Sequence, residues 1–429
     1  MTDAEAPARA HGKNAFFFVV VTVFIDMMGF SIIMPVLPSL LSEITETSVE
    51  DAIVWGGALT ATYALMSFAA GPTLGSLSDR FGRRPILLAS LAALAIDYVI
   101  MGFATSLAVL FIGRALAGVC AATFSTANAY IADVTEPAER GRAFGTLGAA
   151  FGLGFILGPA IGGLLGEIDT RAPFFAAAAL AAANFLYGWF VLPESLKPEN
   201  RRSFDPARAN PFGAFRHFSK LPKVVWFLAA VGIYALAHSI YPATWNFHGA
   251  IRYDWSEAEI GVSLAVVGLS AAVVQAALIG PIIKRFGVYR VAVWSFIVNV
   301  AALTAYAFAF APWMVFAIIP LGAFGGLTGP AMTTIMTNLT PADSQGELQG
   351  ANASLNALAM IISPVLLTQT LHAFSTESAP VYFPGAAFLL AALLTLAAMI
   401  PLFAGLRANK AEIALARGDT AASTETAAS

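Results

Sequence analysis

Charge and sulfur are both scarce in this sequence. Asp, Glu, Lys and Arg make up only 11% of its 429 residues, against roughly 25% in soluble domains. With 58% hydrophobic residues and a mean hydropathy of +0.75, too few polar groups remain to cover a water-facing surface. A single cysteine, Cys120, excludes an intrachain disulfide and any paired-Cys metal spacing. The phosphate-cradling G-x-x-x-x-G-K-[ST] and the zinc-binding H-E-x-x-H are missing, and no nucleophile sits near a base at a plausible spacing. We therefore expect no enzyme, no cofactor and no metal site. A net charge of -3, sorted by position along the chain, gives no basic patch for nucleic acid.

What is present is apolar length. About twelve hydrophobic runs recur, each long enough to cross a hydrocarbon core of about 30 Å as a helix. They fall near 16–41, 52–77, 85–103, 107–130, 142–166, 173–193, 222–247, 258–282, 289–309, 312–336, 345–372 and 381–407. Their continuity excludes a membrane barrel, whose strands alternate over roughly ten residues. Lys and Arg crowd one set of loops, which the positive-inside rule places in the cytoplasm together with both termini. Only Arg171 and Arg252 fall in loops on the other side, and Arg114 lies within a span. The expected location is a membrane that the chain crosses many times, which the resemblance given below makes a bacterial inner membrane.

The longest polar stretch, 194–221, divides the spans six and six and reads as a linker. The expected domains are a cytoplasmic N-terminus (1–15), a six-helix bundle (16–193), the linker, a second bundle (222–407) and a disordered tail (408–429). Arg80-Phe81-Gly82 and Arg285-Phe286-Gly287 lie 205 positions apart, and the same shift carries Gly75 onto Gly280, Gly145 onto Gly350 and Pro159 onto Pro364. Matches at one offset in corresponding loops and spans indicate two homologous halves, the parallel-repeat plan of alternating-access transporters.

Ionisable groups inside spans are costly and point to function. Asp26, Asp97 and Arg114 each fall in the middle third of a span. A carboxylate there is neutralised by a proton or a cation, which suits proton coupling with Asp26 and Arg114 as a pair and Asp97 beside them; a static pair fixing helix packing is the alternative. In span five, Gly154, Gly158, Gly162 and Gly166 repeat every four residues and bare one helix face beside Pro159. Tyr234, His238, Tyr241 and Trp245 share one face of span seven, to line a cavity or to pack. Gln275, Asn299, Asn352 and Asn356 add neutral polar groups to the second half, which has no embedded Asp or Glu.

The stretch GSLSDRFGRRPILL carries Gly75, Asp79, Arg80, Gly82, Arg83 and Arg84 between spans two and three. It resembles the signature loop of the major facilitator superfamily. DMMGFSIIMPVLP from Asp26, FIGRALAGVCAA with Arg114, and GFILGPAIGG with Gly158, Pro159, Gly162 and Gly163 resemble that superfamily's span-one, span-four and antiporter motifs. Together with Asp97-Tyr98 and Gln275, they make the chain similar to the drug:proton antiporters grouped with tetracycline exporters. The resemblance implies an all-α membrane protein, twelve helices in two pseudo-symmetric six-helix bundles around a central cavity, with proton influx driving efflux of small amphipathic compounds from a monomer. The signature loop then reads as a cytoplasmic latch. Asn299 and Ala271 stand where tetracycline antiporters carry an aspartate and a histidine, so coupling is expected to rest on Asp26 and Asp97. An uncoupled facilitator, a metabolite importer and a non-transporting receptor remain open as alternatives.

Overall fold

The computed structural model describes residues 5–121, 123–136, 139–204 and 221–417. Helices run almost end to end, and no strand occurs among the described residues. The first helices are α1 (Glu5–Ile32), α2 (Leu37–Thr45), α3 (Val49–Phe81), α4 (Arg83–Gly102), α5 (Leu107–Cys120), α6 (Thr123–Val134), α7 (Arg140–Gly166) and α8 (Ala172–Val191). Then follow α9 (Val225–His238), α10 (Ile240–Tyr253), α11 (Glu257–Val273), α12 (Ile279–Phe286) and α13 (Val288–Phe308). The last are α14 (Pro312–Ala323), α15 (Thr328–Leu339), α16 (Gln345–Ser375), α17 (Ala386–Ala408) and α18 (Lys410–Arg417). Among the described residues, ten helical stretches are long and apolar enough to cross a membrane, and α1 with α2, bent by 47°, makes an eleventh. The expected span at 107–130 is built from two shorter helices, α5 and α6.

Local chemistry sets where helices start and bend. Ser48 caps α3 by accepting the Asp51 amide at 3.3 Å, and Glu50 and Asp51 in the first turn with Arg80 in the last oppose the helix dipole. Span seven breaks at Ser239, whose hydroxyl donates to the Ala235 carbonyl at 2.9 Å. A π-helical turn over Val274–Leu278 interrupts span eight, between α11 and α12.

The tail differs from expectation. Within the segment expected to be disordered, α18 forms because Ile413 buries its side chain, Asn409 donates to the Lys223 carbonyl (2.9 Å) and Lys223 pairs with Glu412 (3.1 Å). Residues 1–4, 205–220 of the expected linker and 418–429 of the tail lie outside the described residues.

Two compact units emerge, and they are not the two halves read from the sequence. One comprises Met1–Pro211, Pro242–Leu269 and Pro364–Pro384, and the other Phe212–Tyr241, Ser270–Ser363 and Gly385–Ser429. The first unit thus takes in parts of α10, α11 and α16. Glycine is the reason. On α7, a Cβ at Gly162 would overlap the Ile32 carbonyl, one at Gly158 would overlap the Ser31 hydroxyl, and one at Gly154 would lie 2.5 Å from the Phe24 carbonyl. On its other flank Gly163 meets the Glu257 carbonyl, and Gly261 of α11 meets the Pro159 carbonyl. Helix α7 is therefore held backbone to backbone between α1 and α11. This contact lies toward the end of α7 that Glu167 follows, where the ends of α2, α3 and α11 carry Glu43, Glu50, Glu257 and Glu259, the acidic end. Toward the opposite, basic end, Gly141, Gly145, Gly148 and Gly152 have open space where a Cβ would stand.

The second unit is centred on Phe227, Phe296, Met332, Ile335 and Leu402. Large exposed apolar side chains such as Phe190, Trp294, Trp313 and Ile400 suit a surface that faces lipid rather than water.

Replacing Gly162 with Ala is expected to destabilise the protein by about 1–3 kcal/mol, the usual range for overpacking. Gly148→Ala should be neutral or slightly stabilising. Thermal unfolding of the two variants in detergent makes the comparison.

Candidate functional site

In the first unit, the polar side chains of α1, α3, α4 and α5 converge. Asp26 (α1) and Tyr63 (α3) are half-buried, whereas Asp97 and Tyr98 (α4) and Arg114 (α5) are buried. Tyr98 packs on α1, its hydroxyl 3.3 Å from where a Cβ of Gly29 would stand, and Gly118 of α5 lies against the Tyr63 carbonyl of α3. Asp97 is 1% exposed, and neither carboxylate oxygen has a hydrogen-bond partner. It fits only because residue 113 is glycine: a Cβ there would stand 2.8 Å from Asp97 Oδ1 and 2.7 Å from Met101 Cγ. The pairing of Asp26 with Arg114 expected from sequence is not formed. Arg114 follows Gly113 on α5, the residue against which Asp97 packs.

At the basic end the signature loop is a closed network. Arg83 bonds Asp79 at 2.6 Å, Asp133 at 3.2 Å and the Ser78 hydroxyl at 2.9 Å. Glu194, distant in sequence, caps α4: its carboxylate accepts the Arg83 amide at 2.8 Å and the Arg84 amide at 3.3 Å. A carboxylate at a helix N-terminus satisfies orphan amides and opposes the dipole. Gly82, at φ 105°, makes the turn, and a Cβ on it would collide with the Glu194 carboxylate. Arg84 reaches the Trp189 carbonyl at 2.8 Å, and Arg80 lies over the Phe81 ring. Gly75 has open space around it.

At the acidic end a second glutamate caps a second helix. Glu167 accepts the Ala258 amide at 3.3 Å, and with the Ser256 hydroxyl this holds its carboxyl below the ordinary value of 4.5. Ser39 donates to Glu257, Asn246 donates to the Met34 carbonyl at 2.9 Å, and His372 approaches the Glu50 carbonyl at 2.8 Å. First-half helices α1 to α3 are thereby fastened to α10, α11 and α16.

In the second unit, Asn299 is 2% exposed and its Nδ2 lies 2.9 Å from the Gly325 carbonyl, 3.1 Å from the Ser295 carbonyl and 3.3 Å from the Tyr234 hydroxyl. His238 stacks on Tyr234, Tyr241 meets His238 edge-on, and Tyr306 meets Tyr241. Trp245, on α10 with Tyr241, is buried and donates to the Ser263 hydroxyl at 2.9 Å. Gln275 is exposed on the π turn, and Asn356 donates to the Asn352 carbonyl at 2.8 Å on α16.

The family model described as Major Facilitator Superfamily matches residues 19–364 and 239–425. The chain belongs to the major facilitator superfamily. Within it, this major facilitator is 41% identical to the class C tetracycline resistance protein of Escherichia coli over 384 residues, covering 89% of this chain and 96% of that one. It is 27% identical to multidrug resistance protein 2 of Bacillus subtilis, over 82% and 88% of the two chains. Among solved structures, the nucleoside transporter NupG superposes with a TM-score of 0.75 at 12% identity, covering 91% of this chain and 99% of that one. The human organic anion transporter MFSD10 gives 0.68 at 20%, with the same coverage. These likenesses show the fold, and the major facilitator described here is a multi-pass membrane transporter of the branch that holds the tetracycline resistance proteins.

Sequence reasoning missed Asp133, Glu194 and Glu167 in this facilitator. Each is an ordinary charge in a loop or at a helix end, and only the fold brings it to its partner. Loss of the α4 cap in Glu194→Gln should cost about 1 kcal/mol, read as a lower melting temperature, with Gly82→Ala costing more. Because the Glu167 carboxyl is depressed, its cap is present above pH 4.5 and fades as pH falls through the lowered value. In Glu167→Gln at neutral pH, the Ala258 amide should exchange hydrogen faster than in the wild type.

Proposed function

We propose that the protein exports small amphipathic drugs, tetracyclines among them, in exchange for protons by alternating access. The observation that carries this reading is Asp97. A buried carboxyl without a hydrogen-bond partner is tolerated when a proton or a nearby cation neutralises it, and Arg114 is the nearby cation. Exchanging one for the other is the step that coupling requires. Asp26, half-buried on α1, supplies a second carboxyl in the same unit.

Export is supported by the tetracycline and multidrug resistance proteins that the chain resembles. The sorted Lys and Arg residues support both termini and the basic end in the cytoplasm, and the likeness to bacterial resistance proteins supports a bacterial inner membrane, where the protein acts as a monomer in this reading. The network of Asp79, Arg83, Asp133 and Glu194 acts as a latch on that side, and the glycine seam of α7 as its counterpart on the other. Tyr234, His238, Tyr241 and Gln275 offer the drug aromatic and hydrogen-bonding contacts.

Everted vesicles test the proposal. With a pH gradient, wild-type vesicles should accumulate tetracycline and the Asp97→Asn variant should lose at least about tenfold of that uptake, while drug-for-drug counterflow persists. Transport indifferent to the gradient would mark an uncoupled facilitator instead.

A further inference from the structure

We infer that Asn299, acting through Tyr234, fixes which nitrogen of His238 carries the proton, so that Nε2–H is presented to a drug bearing acceptor oxygens. The ligand class rests on the export reading above. The relay itself rests on geometry alone.

The orientation of the Asn299 amide comes first. The group at its Nδ2 position faces two backbone carbonyls, Gly325 O at 2.9 Å and Ser295 O at 3.1 Å. An oxygen there would meet two acceptors, so the nitrogen belongs in that place. A nitrogen with both hydrogens engaged has nothing to offer as an acceptor. Tyr234, 3.3 Å from that nitrogen, therefore cannot donate to Asn299. Thr328 also bonds the phenol, its own hydrogen going to Ser295 at 2.9 Å; we assign the phenol hydrogen to His238 Nδ1 at 3.2 Å, a ring nitrogen being a better acceptor than a hydroxyl oxygen. Once Nδ1 accepts, the neutral imidazole must carry its hydrogen on Nε2. Among the described residues Nε2 has no protein partner, and His238 is exposed on its unit while Tyr234 and Asn299 are buried.

The chemistry of the ligand follows. The imidazole is held stacked on Tyr234 at 5.2 Å and against Tyr241 at 5.3 Å, so its ring is set by packing as well as by the hydrogen bond. A fixed donor beside aromatic faces selects a flat molecule with carbonyl, enolate or carboxylate oxygens over an apolar cation with none. Without the amide nitrogen, the phenol oxygen would be free to accept from Nδ1–H and Nε2 could become an acceptor. The Asn at this position is therefore a positioning residue, which sets the polarity of the site without touching ligand.

Nitrogen-15 NMR of histidine-labelled protein in detergent, at mildly alkaline pH, reads the tautomer directly. Wild type should show Nε2 protonated and Nδ1 accepting a hydrogen bond. Tyr234→Phe should abolish the hydrogen-bond shift at Nδ1, and Asn299→Leu, which frees the phenol oxygen to accept, should populate the Nδ1–H tautomer as well. A wild-type Nδ1–H, or a Nδ1 shift unchanged in Tyr234→Phe, would overturn the relay whatever the protein transports. Binding then tests the ligand class with two probes, tetracycline and tetraphenylphosphonium, which has no acceptor atom. His238→Phe should weaken tetracycline binding about tenfold and leave tetraphenylphosphonium unchanged. Equal loss of both, or no tetracycline binding by wild type, would overturn the ligand class while leaving the NMR result standing.

Discussion

A polar group taken into the membrane has no water to bond and must find its partner in the protein. Much of this structure obeys that constraint. Asn299 is surrounded by two carbonyls and two hydroxyls, Thr22 donates to Asn184 across α1 and α8 at 3.2 Å, and the Ser31 hydroxyl turns back onto Met27 at 2.8 Å. Asp97 departs from it: a carboxyl with both oxygens unpartnered, lodged against the bare backbone of Gly113. Single buried atoms of Thr126, Asn184 and Ser375 also lack a partner, but among the described residues only Asp97 leaves both oxygens of a carboxyl so, which is why the proposed coupling is placed there.

The same constraint governs helix ends, where backbone amides go unpaired. Glu194 closes the start of α4 and Glu167 the start of α11, one at each end of the first unit. Each contact depends on a close approach made by glycine, Gly82 in the first case and the α7 seam in the second. Charged caps on helix ends are strong enough to hold a state and, lying at the surface, can exchange for water when it opens. A protein that must close one side while opening the other is well served by such fastenings.

Much of this was legible in the sequence. The apolar runs, the 205-residue repeat and the glycine face of α7 follow from composition and period, and the repeat reappears in the backbone, with Gly82 and Gly287 both at positive φ between corresponding helices. The embedded charges announced themselves because a membrane span tolerates so few. What stayed hidden depends on tertiary placement. Glu194 is 111 residues from the amide it caps. The break at Ser239 and the π turn holding Gln275 leave no period to read. The Asp26–Arg114 pair was a reasonable inference from depth alone, but depth does not say which helix faces which.

The central claim is that Asp97 alternates between a proton and Arg114 during transport. It is tested most directly by adding the transported drug to purified protein in weakly buffered detergent and measuring proton release with a pH dye. The account expects release from wild type and none from Asp97→Asn, with drug binding retained in both. Release that persists in Asp97→Asn, or its absence from a wild type that binds drug, would contradict it.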